Sequence, residues 1–249
     1  MKNLSLSVLA GFLLIGFGAC NDDDADNEPV QKGRIVGELR LTDELGVEFT
    51  DHSGMSVKAN GTSAGFSADG GSYVVENLTS GTYDLSFEKT GFGTYKRFNI
   101  QVVEGSNATV LSGIDYLGQK STTEITNLSA NFNPVDSTYS IGCSIAPTPL
   151  AGSPRAFRLF FGKTNSVSSQ DYQFTPSNTW QATTSSGQIT GYPRSQFYNN
   201  GFSTGETVYL IAYGESIRTN TYIDPATNKK VFPNVNLNAP SNMVSFVLQ

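Results

Sequence analysis

Histidine is almost absent from this chain: His52 is the only one in 249 residues, and cysteine occurs only at Cys20 and Cys143. That inventory cannot build a four-ligand Cys/His zinc site or a disulfide-dense scaffold, so no metal and no cofactor is expected. Charge is sparse, at 15% of residues, with 16 basic against 22 acidic side chains and a net of -6. The acidic balance argues against a nucleic-acid binder, which usually carries a basic face. The glycines of residues 65–71 come with no lysine and no following helix, which excludes a phosphate-binding loop. A Ser-His-Asp triad would have to use His52, between Asp51 and Ser53, and adjacent residues on a strand face opposite ways. His52 is therefore expected to be a solvated loop residue, and no residue is assigned a catalytic role. Paired carboxylates of the glycosidase kind are not excluded by sequence, which leaves a hydrolase as the third-ranked reading.

What is present begins with an address. Residues 1–20 read MKNLSLSVLAGFLLIGFGAC, with Lys2 as a short basic region, an apolar run over residues 4–17, and small Gly18 and Ala19 before Cys20. The pattern predicts a signal peptide over residues 1–19, too short for a spanning helix of about 20 apolar residues. Phe17-Gly18-Ala19-Cys20 resembles the lipobox of bacterial lipoproteins. The resemblance implies that Cys20 is acylated, becomes the new N-terminus and makes the membrane a partner, held firmly because several acyl chains share one site. Residues 20–32 then form a lipidated acidic tether. Asp22, Asp23, Asp24, Asp26 and Glu28 lie here, without the apolar side chains needed to bury surface and without the glycine turn and closing glutamate of a calcium loop. An acidic run directly after the cysteine resembles the export signal of surface-exposed Bacteroidota lipoproteins, which implies the outer membrane, facing outward.

The remainder alternates apolar and polar residues with period two, broken by Gly, Asn, Asp and Ser, the pattern of short strands in sandwiches or barrels. Two modules are expected, over residues 33–120 and 121–249. In the first, strands are placed on Ile35, Gly37, Leu39 and Leu41, on Met55, Val57 and Ala59, on Tyr83, Leu85 and Phe87, and on Phe98, Ile100 and Val102. Turns are placed at Asp69-Gly70-Gly71, Ser80-Gly81 and Gly91-Phe92-Gly93. Asp69-Gly70-Gly71-Ser72-Tyr73, Glu76-Asn77-Leu78, Gly81-Thr82-Tyr83, Leu85 and Lys89-Thr90-Gly91-Phe92 resemble the carboxypeptidase regulatory-like family. The resemblance implies a seven-stranded, transthyretin-like (prealbumin-like) sandwich that serves as a spacer or docking unit, with no catalytic part. Gly81 is expected to accept a positive φ. Lys32 and Asn107 are the nearest candidates for an internal Lys–Asn bond of the kind some related β-modules form.

In the second module, strands are expected over residues 125–132, 138–146, 155–162, 188–192, 207–214, 219–223, 230–233 and 242–249. Tyr139, Ile141, Cys143 and Ile145 share one face, which makes Cys143 a core residue. Asp224-Pro225-Ala226-Thr227-Asn228 is a turn between two strands. The run from Gly205 to Gly214 resembles the penultimate strand of fibronectin type III-like sandwiches, with Tyr209 as its corner tyrosine. The resulting fold class is all-β: two tandem β-sandwiches, transthyretin-like and then Ig/fibronectin III-like. The two-module arrangement also resembles lipoproteins that accompany glycan-uptake systems in Bacteroidota. Residues 166–205 mix Tyr172, Phe174, Trp180, Tyr192, Phe197, Tyr198 and Phe202 with amides and hydroxyls. The same mixture serves a sugar-binding surface or loops packing their own aromatics. Trp180, Tyr192 and Tyr198 are the candidate ligand contacts, Trp180 first, for a glycan or a surface protein. Asp136-Ser137-Thr138 resembles the acceptor sequence of Bacteroidota O-glycosylation. The functional expectation is a non-catalytic surface lipoprotein for binding or assembly, with glycan capture as its use; the alternative is a structural or adhesion stalk with no small-molecule ligand.

Overall fold

The computed structural model describes residues 31–105 and 107–249. The expected signal peptide, the Cys20 lipidation site and the acidic tether as far as Val30 lie outside the described residues. The described chain is all-β and builds two β-sandwiches in tandem, with one short helix.

The first sandwich has seven strands: β1 (Gly33–Thr42), β2 (Ser56–Ala59), β3 (Thr62–Phe66), β4 (Ser72–Leu78), β5 (Gly81–Glu88), β6 (Tyr95–Val102) and β7 (Thr109–Gly118). One sheet runs β4-β1-β7 and the other β3-β2-β5-β6. Period-two alternation aims Ile35, Leu39 and Leu41 from one sheet at Val57, Leu85 and Phe87 from the other, all buried. Gly37 is the gap in the β1 row. The Tyr73 ring crosses it, and a Cβ there would collide with that ring. Gly81 opens β5 with no positive φ; the left-handed residue of that turn is Asn77 at φ 61°. An amide side chain tolerates this conformation better than most, so the β4–β5 connection does not need Gly81 there. Lys32 is committed to Glu104, 2.9 Å away, and Asn107 is exposed; no contact between these two residues is present.

The second sandwich pairs the sheet β12-β9-β8 with the sheet β11-β10-β13-β16. Its strands are β8 (Glu124–Asn133), β9 (Thr138–Ala146), β10 (Arg155–Gly162), β11 (Trp180–Ala182), β12 (Ser186–Pro193), β13 (Thr207–Glu215) and β16 (Val244–Val247). Helix α1 (Ser195–Asn199) seats Phe197 in the core. Tyr139, Ile141, Cys143 and Ile145 face Phe157, Leu159, Phe161, Leu210 and Ala212. Burial pushes the Cys143 thiol up to about 11, as for a cysteine that acts as a core hydrophobe.

Two segments expected as sandwich strands form something else. β14 (Tyr222–Asp224) and β15 (Lys229–Val231) make a separate hairpin, closed by the expected turn in which Asp224 Oδ1 accepts the Ala226 and Thr227 N–H groups. They belong to a long excursion between β13 and β16. Phe232 and Val235 from that excursion cover Phe160 and Tyr213 on the outer face of the β10–β13 pair, as a third apolar cluster. Tyr209 packs its ring against this cluster. The hydroxyl bonded to backbone four residues upstream belongs instead to Tyr83, which donates to the Thr79 carbonyl at 3.1 Å.

The same excursion joins the sandwiches. Asn234 and Asn220 are 0% and 2% exposed. Asn220 donates to the Gly93 carbonyl (2.7 Å) and accepts from the Gly118 N–H (2.9 Å). Asn234 donates to the Gly118 and Gln119 carbonyls and accepts from the Asn220 N–H (2.6 Å). Buried amides of this kind persist only when their hydrogen bonds are made; here the bonds to Gly93, Gly118 and Gln119 cross the boundary, and the Asn220–Asn234 bond ties the two amides to each other. On the flank, Glu44 of the first sandwich accepts from the Thr122 N–H (2.6 Å), the Thr122 hydroxyl (2.7 Å) and Arg155 (2.5 Å).

Candidate functional site

The sequence-derived candidates are dispersed. Trp180 and Tyr192 come together, ring centroids 6.3 Å apart. Tyr192, however, is 7% exposed, enclosed by Phe161 and Phe197 as well, and so presents no ring face to a ligand. Trp180 is half-buried on the edge strand β11, stacked against Phe157 at 6.4 Å. Tyr198 is half-buried elsewhere, its hydroxyl 3.0 Å from that of Thr204 and donating to the Gln249 carbonyl at 2.9 Å. Phe174, Phe197 and Phe202 of the same stretch are core. Ser137 and Thr138 lie at the exposed β8–β9 turn, where the Thr138 hydroxyl donates to Asp136 at 2.7 Å.

His52 is not a solvated loop residue. It is 6% exposed; its Nδ1 accepts the Leu41 N–H at 3.0 Å, and its Nε2 lies 3.4 Å from Glu48. The imidazole turns inward because it satisfies a backbone donor of β1 that the sheet leaves unpaired. Because Nδ1 takes the Leu41 N–H, the neutral ring carries its proton on Nε2, so neither nitrogen is an open acceptor for a nucleophile's proton.

Beside it, at the end of the first sandwich nearest the boundary, is a cleft of about 330 Å³, within the usual size of small-ligand sites. Leu41 and Phe92 supply a buried apolar floor, and Phe49 stands beside Phe92 with ring centroids 6.1 Å apart. Phe49 is 36% exposed, so part of its ring is free. The rim is polar: Thr50, Asp51, Lys89 and Gln119. The Ser53 N–H and hydroxyl donate to Asp51 and hold its carboxyl below the ordinary range, so it is an anion at neutral pH. Lys89 donates to the Ser53 carbonyl at 2.6 Å and lies 5.6 Å from the Phe92 ring centre. The three segments are fixed by backbone bonds: Gln119 N–H to Thr42, Lys120 N–H to Gly91, and Phe49 N–H to Leu41. The site therefore stands on a rigid frame. An aromatic face next to a carboxylate, an amide and an ammonium suits a ring that carries hydroxyls and one C–H face. Asp51 is the single carboxylate of the lining, whereas glycoside hydrolysis needs two.

Sequence reasoning missed this cleft. Its one signal was Phe92 between two turn glycines and Phe49 ahead of a polar stretch, aromatics where loops ordinarily carry none.

No family model and no curated protein matches the chain. Solved structures that align with it include a "putative carbohydrate binding protein" from Bacteroides uniformis, at 14% identity and TM-score 0.33, over 88% of this chain and 100% of that one. A DUF3823 family protein from Bacteroides ovatus aligns at 14% identity and TM-score 0.28, over 88% and 100%. The FN1–FN3 domains of chicken CNTN1 align at 8% identity and TM-score 0.28, over 86% and 63%.

Proposed function

We propose that this chain is a non-catalytic binding protein, lipid-anchored through Cys20 on the outward face of a bacterial outer membrane, and that it captures glycan in the Phe49–Phe92 cleft. The observation that carries the reading is a partly free aromatic ring set on a fixed frame beside Asp51 and Gln119. Sugar recognition uses that combination, since the ring takes the C–H face and the polar groups take hydroxyls. The burial of His52, with Nδ1 committed to the Leu41 N–H, and the single carboxylate of the cleft speak against hydrolysis. Trp180 remains a second contact surface for a glycan or protein partner under the same reading.

The test is glycan-array screening followed by titration calorimetry on the soluble chain. Phe49→Ala is expected to weaken binding by about tenfold or more, the worth of one good aromatic contact, and Asp51→Asn to weaken it further. If Phe49→Ala binds as wild type while Trp180→Ala does not, capture belongs to the second sandwich instead. The alternative, a spacer or adhesion stalk with no small-molecule ligand, draws on the buried amide junction, which makes one stiff unit of two sandwiches. A glycan array with no signal for the wild type would favour it.

A further inference from the structure

On the outer face of the β2-β5-β6 strands lies a second, larger groove of about 510 Å³. Register places Lys58, Ser86 and Lys96 in one row across three strands, so the two lysines flank the serine about 10 Å apart at the backbone. Lys58 is spent on Glu88, 2.6 Å away. Lys96 has no carboxylate within 4 Å among the described residues. At one end the Phe98 ring meets Tyr222, centroids 5.8 Å apart, and the Lys96 ammonium lies 5.8 Å from the Tyr222 ring centre. Tyr222 comes from the β14–β15 hairpin of the second sandwich and braces Phe98 and Lys96 from outside the groove's lining, so the setting of Lys96 depends on the junction. At the other end, the Asn60-Gly61 turn, left-handed at both residues, fixes Asn60 against the Asp84 N–H at 2.8 Å. Asp84 Oδ1 accepts the Asn99 N–H, which leaves its second oxygen for a hydroxyl donor.

We propose that this groove is a second ligand site, taking an acidic saccharide chain whose carboxylate or sulfate pairs with Lys96 while hydroxyls reach Asp84 and Ser86. It rests on the glycan-binding reading of the molecule but on none of the cleft residues. The lining argues the class: an unpaired cation beside Phe98 on β6, a free Asp84 oxygen on the central strand, and the Asn60-Gly61 turn on the β2 side. A neutral chain would leave Lys96 without a counter-ion, and a small free anion would leave the Asp84 end unused and repel it. Two sites on one rigid body raise the apparent affinity for a chain long enough to reach both.

The experiment is calorimetry of the soluble full-length described chain with trigalacturonate, maltotriose and sulfate at low and physiological salt. Trigalacturonate is expected to bind, more weakly as salt rises, with maltotriose and sulfate at least about tenfold weaker. Lys96→Met and Tyr222→Ala, both half-exposed positions that should fold, are each expected to weaken trigalacturonate by about tenfold or more. Trigalacturonate binding that is absent, indifferent to both substitutions, or matched by maltotriose or by sulfate alone overturns the proposal. The cleft is tested by different substitutions, Phe49→Ala and Asp51→Asn, so either site can fail without the other.

Discussion

Glu44 shows how much one side chain does at the boundary. Burial alone would raise its carboxyl, but the Thr122 N–H, the Thr122 hydroxyl and Arg155 outweigh that and hold it below its ordinary value of 4.5. A depressed carboxyl contributes stability that is fully present above its unfolded value and is lost as pH falls through the folded one. Wild type should therefore exceed Glu44→Gln in urea melts at pH 7, and the gap should close as the pH drops below about 4.5; a gap independent of pH would contradict this. His52 is a further lesson at this scale. Its neighbours Asp51 and Ser53 are polar, and nothing in sequence announces that a β1 amide 11 residues away needs an acceptor. Tyr139, Ile141, Cys143 and Ile145 were legible because each touches the core through the face that alternation gives it.

At the scale of elements, β9 and β10 fall on the residues that periodicity marks, yet periodicity does not say what covers a strand's second face. Arg158 interrupts the apolar run of β10 because it lies on the outer face, 3% exposed at the side chain and paired with Glu215 at 2.6 Å. It donates also to the Pro176 carbonyl and the Thr179 hydroxyl, 4.5 Å from the Phe232 ring centre. The pair pins the 163–179 connection and the excursion onto the sheet. Removing one partner strands a buried charge, so Arg158→Ala should cost about 3–5 kcal/mol in denaturant melts, whereas Arg158→Met with Glu215→Leu should be close to neutral. Equal losses for the single and the double variant would show that packing, not the uncompensated charge, is what matters. Strand β7 went unread for the opposite reason. Its Val110 and Ile114 are 71% and 42% exposed while Asp115 is buried against Arg97 at 2.8 Å. The hydrophobic pattern of β7 is broken because the Asp115–Arg97 ion pair takes an inward position between Leu111 and Leu117, which do reach the core.

At the scale of the whole molecule, the alternation of strands was enough to expect sandwiches or barrels, and the resemblances of the two modules narrowed this to two β-sandwiches, but not the means by which they are held. The amides that hold them, Asn220 and Asn234, sit in a segment whose composition reads as turn and short strand. Each loses several buried hydrogen bonds on truncation, so Asn234→Ala should cost about 2–4 kcal/mol. Wild type should unfold in one calorimetric transition and the Asn220→Ala, Asn234→Ala double variant in two, as the sandwiches uncouple; a single transition for both would mean that Glu44 and its partners suffice. The excursion has one more consequence, for assembly in time. β13 gains its second neighbour only when β16, beyond the 216–243 excursion, has paired with it. Until then β13 presents an unpaired edge carrying Val208 and Leu210, the surface on which neighbouring chains can register. A chain stopped short of β16 would keep that edge open, and such an edge invites self-association or a holdase.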